Sequence, residues 1–249
     1  MKPTVIFAGV FGWALASHTV IAEEVRHSAV APIIDGKIEA VWGQAEWRDM
    51  SHHITGTVPE PTDFSGRYKL LWDQDHLYVM AEITDDVLYD RHPDPREAYW
   101  DDDCLEIFID ADASGGNHLY THNAFAYHVA LDGHVADMGA KKPDGDAEIL
   151  LLDDHAISRW RRSAENPGVI VWEVAVRLYG DTFDPALDTN EPLKLEVGKK
   201  IGFMLAYCDN DGSETREHFM GSHAIEPVDG DKNLGYITAD VFGKLTLVP

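Results

Sequence analysis

Trp100 stands in a polar loop, after Pro93, Pro95 and Tyr99 and before Asp101, Asp102 and Asp103, and Glu106 follows on a run that alternates like a strand. A large ring among prolines and aspartates is awkward to bury in a main core, so this setting offers an aromatic plate to solvent. Glu106, two alternations beyond Asp102, points away from the apolar side of its run, where its carboxylate can accept two hydroxyl hydrogen bonds. A sugar has an apolar C–H face and a rim of hydroxyls, so its recognition needs a plate edged with acceptors and donors. Tyr99, Trp100, Asp102 and Glu106 are therefore a candidate saccharide site. Two other arrangements use the same residues: the indole as a plug over the end of the fold, and the carboxylate as partner of an Arg or Lys across a sheet.

Clustered oxygens suggest a second chemistry, the binding of a hard cation. Asp110-Ala111-Asp112-Ala113-Ser114-Gly115 has ligand-like residues at alternate positions and a glycine where the chain must turn. The twelfth position is Thr121 rather than a bidentate Glu, which rejects an EF-hand. Asp209-Asn210-Asp211-Gly212 is another oxygen-rich turn, and also the composition of a plain hairpin turn. Asp110, Asp112, Asp209 and Asp211 are the candidate calcium ligands. Asp85 with Glu106 would supply a two-carboxylate pair for glycoside hydrolysis if the two faced one cleft. No nucleophile elbow, G-x-G-x-x-G or P-loop occurs.

These side chains need strands to hold them. Tyr68, Leu70 and Trp72 alternate with Arg67 and Lys69, and after Asp73-Gln74-Asp75-His76 the residues Leu77, Val79, Ala81 and Ile83 alternate with Tyr78, Met80 and Glu82, which predicts a hairpin. Leu105, Ile107 and Ile109 set one face of the next strand, and Cys104, Glu106, Phe108 and Asp110 the other. Further strands are expected at Phe125–Leu131, at Ile170 to Val176, at Ile201 to Tyr207 and at Leu245 and Leu247. Helical turns are expected only at Glu39–Trp47, with Trp42 and Ala45 inward, and at Tyr179–Phe183. Trp42, Trp72 and Trp172 fall on apolar periods and are assigned to the core. The fold class is all-β, an antiparallel, jelly-roll-like β-sandwich.

The chain's 249 residues include 20 Lys plus Arg against 44 Asp plus Glu, a formal charge of -24. Such a surface repels a phosphate backbone, which removes nucleic acid as a partner and leaves neutral ligands and cations. Residues 1–22 read as a signal peptide, with Lys2, an apolar stretch from Val5 to Ala16 and a Val20-Ile21-Ala22 cleavage pattern. An exported protein, periplasmic or secreted, is expected, with no integral membrane segment after signal removal. Without linkers or repeats, residues 23–249 read as a single domain. Cys104 and Cys208 lie in strand-like runs, as one disulfide or as two buried thiols.

Three blocks resemble carbohydrate-binding module family 9. Pro32-Ile33-Ile34-Asp35-Gly36-Lys37-Ile38-Glu39-Ala40-Val41-Trp42 is similar to the family's opening pattern, apart from a one-residue shift in its acid. Leu70-Leu71-Trp72-Asp73-Gln74-Asp75-His76-Leu77-Tyr78-Val79 resembles its hairpin, and Trp100-Asp101-Asp102-Asp103-Cys104-Leu105-Glu106-Ile107-Phe108-Ile109-Asp110 its acidic signature. The resemblance implies a β-sandwich that binds carbohydrate without catalysis, with bound calcium in some members and frequent attachment to glycoside hydrolases. It assigns ligand contacts to Trp100, Glu106 and Asp85. A family Arg on the strand matched to Phe125–Leu131 is replaced, with Tyr127 or His128 nearest its position. The family's second stacking Trp has no counterpart in Gly221–Pro227. Related sandwiches hold haem, for which Met80 or His128 would be the axial ligand. A domain that only docks to an envelope partner is a further alternative.

Overall fold

The computed structural model describes residues 22–249. All of the expected leader except Ala22 lies outside them. Strands β1 (Glu23–His27), β2 (Arg48–Met50), β3 (His52–Gly56), β4 (Ser65–Trp72), β5 (Leu77–Thr84) and β6 (Cys104–Asp110) form the first part of the fold. They are followed by β7 (Phe125–Ala130), β8 (Val135–Lys141), β9 (Ala147–Leu151), β10 (Ala156–Arg162) and β11 (Val169–Val176), then β12 (Lys200–Asp209), β13 (His218–Gly221) and β14 (Gly243–Val248).

The hydrogen-bonded order is β10-β11-β5-β4-β1-β14-β12-β6-β7-β8-β9, with β2 beside β4 and with β13 bridging β12 and β3. Only the pairings of β1, with β14 and with β4, are parallel. The path folds over at β1 and β14, so that β10-β11-β5-β4 lies against β12-β6-β7-β8 as two layers. Phe64 stacks on Tyr207 with centroids 5.6 Å apart, and Trp172 meets Tyr207 edge-on at 6.4 Å. One apolar cluster holds the inward residues of both layers, from Val25 to Leu247.

The alternation read from the sequence is the alternation observed. Tyr68, Leu70, Trp72, Leu77, Val79, Ala81 and Ile83 all enter this core. The β4–β5 turn is closed by Asp73, whose Oδ1 accepts from the backbone N–H groups of Asp75 and His76, both at 2.8 Å. On β6, Leu105, Ile107 and Ile109 face inward, which leaves Cys104, Glu106 and Phe108 on the outer face. Trp42, Trp72 and Trp172 are buried, as expected.

The helical expectations are met in part. Within Glu39–Trp47 only Ala40–Gln44 coils, as a 3-10 turn, with Trp42 and Ala45 buried. Tyr179–Phe183 forms no helix; it makes a single turn, with Phe183 N–H donating to the Gly180 carbonyl at 2.9 Å. Pro185 disfavours helical backbone at Asp184, so that turn cannot propagate. A second 3-10 turn, Ala239–Val241, is capped by the Thr238 hydroxyl.

Candidate functional site

On the outer face of the β12-β6-β7 layer, Glu106 lies opposite His128 on one side and Ala206 on the other. The small Ala206 leaves room above the sheet. Glu106 is 2 % exposed, and its Oε1 gathers every donor nearby: His128 Nε2 at 2.8 Å, Arg216 Nη1 at 3.2 Å and the Cys208 thiol at 2.9 Å. Burial by itself would raise its pKa. The charges of His128 and Arg216, with their hydrogen bonds, outweigh burial and hold the carboxyl below its ordinary range. No hydrogen bond from the described residues reaches Oε2, which leaves that oxygen for a ligand hydroxyl.

The β5–β6 loop supplies the aromatic wall, and the three aspartates after Trp100 hold it in place. Asp101 accepts from the Arg216 backbone N–H at 3.1 Å. Asp102 accepts from those of Arg91 and His92, at 3.0 and 2.9 Å, and Asp103 from Tyr89 and Asn210, at 2.6 and 2.8 Å. These bonds hold the loop that carries Trp100, which is 41 % exposed. Tyr99 is buried beneath it, edge-on to both Trp100 and His128 with centroids at 4.9 and 4.5 Å.

Tyr236, in the loop before β14, is a further wall. Gly235 lies so close to the sheet that a Cβ there would sit 2.8 Å from both Phe108 and Met204 side-chain atoms, so a glycine is required to seat the neighbouring ring. His118 Nε2 fixes the same loop through the Gly235 carbonyl at 2.8 Å. Between Trp100 and Tyr236 opens a pocket of about 300 Å³, floored by Glu106, His128 and Arg216 and edged by Met138 and Asn233. That is the size and chemistry of a small polar ligand site: two rings, an unoccupied carboxylate oxygen, and a guanidinium and an amide as donors.

A family model described as carbohydrate family 9 binding domain-like matches residues 34–249. The chain belongs to this family. Among solved structures, a family 9 carbohydrate binding module from Caldicellulosiruptor kristjanssonii in complex with cellotriose is similar, with a TM-score of 0.66 and 20% identity over 92% of this chain and 94% of that one. A putative carbohydrate-binding protein from Bacteroides uniformis shares the fold at a TM-score of 0.58 and 13% identity, over 91% of this chain and 98% of that one. An endo-1,4-beta-xylanase of Thermotoga neapolitana is 33% identical over 32% of this chain and 7% of its own length. An exoglucanase of Acetivibrio thermocellus is 24% identical over 75% of this chain and 15% of its own length. The chain thus spans only a small part of these curated relatives.

Of the residues singled out in this family 9 chain, Tyr99, Trp100, Glu106 and His128 come together in the pocket. Three do not. Tyr127 faces inward, 1 % exposed, and its hydroxyl meets His155 Nδ1 at 2.8 Å; strand alternation admits either Tyr127 or His128 to the outer face, and it is His128. Asp102 spends both oxygens on the loop backbone. Asp85 is fully buried at the end of β5, where its Oδ2 accepts from the Tyr207 hydroxyl at 2.5 Å. Asp85 and Glu106 therefore share no cleft, which removes the basis for a hydrolytic acid pair. Of the two residues offered as a haem ligand, Met80 packs with Trp42 on the outer face of the other layer, whereas His128 lines the pocket. Sequence reasoning missed Arg216, Met138, Asn233 and Tyr236. Arg216 had a signal, because a carboxylate on a packed strand face needs a cationic neighbour.

The oxygen clusters also rearrange. Asp110 accepts from the backbone of Asp112 and Gly115, and Asp112 from Ser114, so both carboxylates close their own turn. Asp209 instead joins Asp85 and Asp103, three buried carboxylates whose ligand oxygens lie within 4.8 Å of one another. Asp85 Oδ1 is buried there without a hydrogen-bond partner. Burial, then mutual repulsion, pushes Asp103 up to about 9 and Asp209 to about 8, and burial pushes Asp85 to about 6. Asp211 belongs to a neighbouring, more exposed set with Asp63 and Asp86. Of the two candidate places for a hard cation, the Asp85-Asp103-Asp209 set has the donor chemistry that fits one. Cys104 and Cys208 face each other across β6 and β12 as free thiols beside Glu106. With Arg216 Nη1 3.0 Å from the Cys208 sulfur, the positive charge beside this cluster is already supplied.

Proposed function

We propose that this domain binds the terminal sugar of a polysaccharide or oligosaccharide in the Trp100–Tyr236 pocket, without catalysis. The observation that carries the reading is a half-open indole over a hollow whose floor is a charged, hydrogen-bonded Glu106-Arg216-His128 group. Trp100 stacks on the C–H face; Glu106 Oε2 accepts hydroxyls, and Arg216 and Asn233 donate to ring or hydroxyl oxygens. Tyr236 serves as the second stacking face, a role that the sequence between Gly221 and Pro227 leaves vacant. Family membership, and the cellotriose and glucose in the Caldicellulosiruptor kristjanssonii complexes, support this ligand class.

Titration calorimetry with glucose, cellotriose and xylo-oligosaccharides tests the reading. Micromolar to millimolar binding by the wild type, and loss of about tenfold in affinity in Trp100→Ala, are expected from removing one stacking face and its buried area. Equal affinity of wild type and Trp100→Ala for every sugar would discard the pocket. No heat with any of them, together with pull-down of an envelope protein, would favour the partner-docking alternative.

The same reading includes export to the periplasm or the medium, action beside a separate glycoside hydrolase, and calcium at Asp85, Asp103 and Asp209. No helix among the described residues is long and apolar enough to cross a membrane. The hydrolase partner rests on the xylanase and exoglucanase relatives, in which the similar stretch is a minor share of the length. Calcium rests on three buried carboxylates with an unpartnered oxygen, a set that an ion of charge +2 would neutralise.

A further inference from the structure

Trp100, Met138 and Tyr236 line a second hollow as well, of about 520 Å³, which continues from the terminal-sugar pocket along the β8–β9 hairpin. The two share three lining residues and so adjoin one another. Leu119, Tyr120 and Ile149 also line this extension. Tyr120 is held at φ 64 and Ala98, two residues before Trp100, at φ 45, conformations that residues with a Cβ rarely adopt. Two of the four such residues in the described chain therefore flank the one groove, which is where backbone strain tends to be retained for binding.

The charges in this extension run against the rest of the molecule. In a chain of formal charge -24, its lining contains Arg96 and Lys142 against a single carboxylate, Asp146. A third cation, Lys141, lies just behind, its ammonium 5.6 Å from the Tyr120 ring centroid. Arg96 is already paired with Asp94 through two bonds of 2.8 Å. Lys142 is exposed and makes no ion pair with the described residues, so it is the cation free to meet a ligand.

Building on the carbohydrate reading, we infer that the second hollow receives an acidic sugar, a uronic acid residue or side group one unit from the end seated against Trp100, with its carboxylate placed at Lys142. The aromatic and aliphatic walls take the C–H faces of the chain, and Lys142 selects the anion from among otherwise similar neutral oligosaccharides.

The test uses the full chain and two matched ligands, xylotriose and xylotriose carrying one glucuronic acid branch, titrated at low ionic strength. The acidic ligand should bind about three- to fivefold tighter in the wild type, the size expected of one exposed ion pair. Lys142→Ala should abolish that difference, and Lys142→Glu should reverse it, while xylotriose affinity stays unchanged in both variants. High salt should erase the preference through screening. Equal affinity for the two ligands in the wild type, or an unaltered preference in Lys142→Glu, overturns the inference. The controls separate its failure from that of the pocket itself: if xylotriose still binds and loses affinity in Trp100→Ala, the sugar site stands and only the acidic subsite falls. If neither ligand binds the wild type, both fall together.

Discussion

Glu106 combines two roles that are usually weighed as alternatives. It is the ion-pair partner of Arg216 from the β12–β13 loop, and it is also the floor of the pocket, because only its Oε1 is engaged by the protein. Removing its charge leaves Arg216 almost buried, with a side chain 12% exposed, without a counter-ion. Glu106→Gln is therefore expected to lose about 3 kcal/mol of stability in urea denaturation, with weaker sugar binding. The pH dependence follows from the depressed carboxyl. Its contribution is fully present above the ordinary value of 4.5 and is lost as pH falls through the lower folded value. Wild type should show that acid limb and Glu106→Gln should lack it; superimposable pH profiles would contradict the assignment.

At the level of elements, the segment before the first 3-10 turn is held by one buried acid. Glu173 on β11 accepts the Trp42 indole N–H at 2.8 Å through Oε1, and the backbone N–H groups of Gly36 and Asp35, at 2.9 and 3.1 Å, through Oε2. Gly36 adopts φ +74, and a Cβ there would meet the Arg161 backbone nitrogen at 2.8 Å. The Asp-Gly and Trp of the opening pattern are thus a tether for the N-terminal segment rather than part of the sugar site. Glu173→Ala strands two buried donors and a third that is partly buried. A loss of about 3 kcal/mol or more is expected, read as a lowered midpoint in thermal unfolding, with sugar affinity retained in the folded fraction. A change of under about 0.5 kcal/mol, the level of an ordinary surface substitution, would show that the tether is not needed.

For the whole molecule, the carboxylates at the end of the sandwich link stability to pH and to cations. Asp85, Asp103 and Asp209 have raised folded pKa values, so their contribution is fully present below the ordinary value of 3.8 and is lost as pH rises through about 6, 9 and 8, respectively. In chelator, thermal stability should therefore decline across this window. Calcium at about a hundredfold over its dissociation constant should restore about 2.7 kcal/mol, or roughly 5–10 °C in midpoint for a domain of this size. Asp103→Asn should blunt the calcium response. An identical melting curve with chelator and with millimolar calcium at pH 8 would remove the cation from the proposal.

What the sequence by itself determined is what depends on local periodicity and on short contiguous blocks. The β4–β5 hairpin, the two faces of β6, the buried Trp42, Trp72 and Trp172 and the solvent-facing Trp100 follow from alternation and turn chemistry. Strands β1, β2, β3, β8, β9, β10 and β13 escaped notice because they are short or partly exposed, and β8 is also irregular about Gly139, so that alternation there has few apolar residues to mark it. The partnerships were decided only in three dimensions. Glu106 meets Arg216 across 110 residues of chain, Trp42 meets Glu173 across 131, and Asp85 meets Tyr207 across 122. Spacing along a sequence says which face a side chain takes, whereas which faces converge depends on strand order and register. That is why Asp85, adjacent to the site in the linear pattern, ends among buried acids, and why Tyr236, far from it in the chain, closes the pocket.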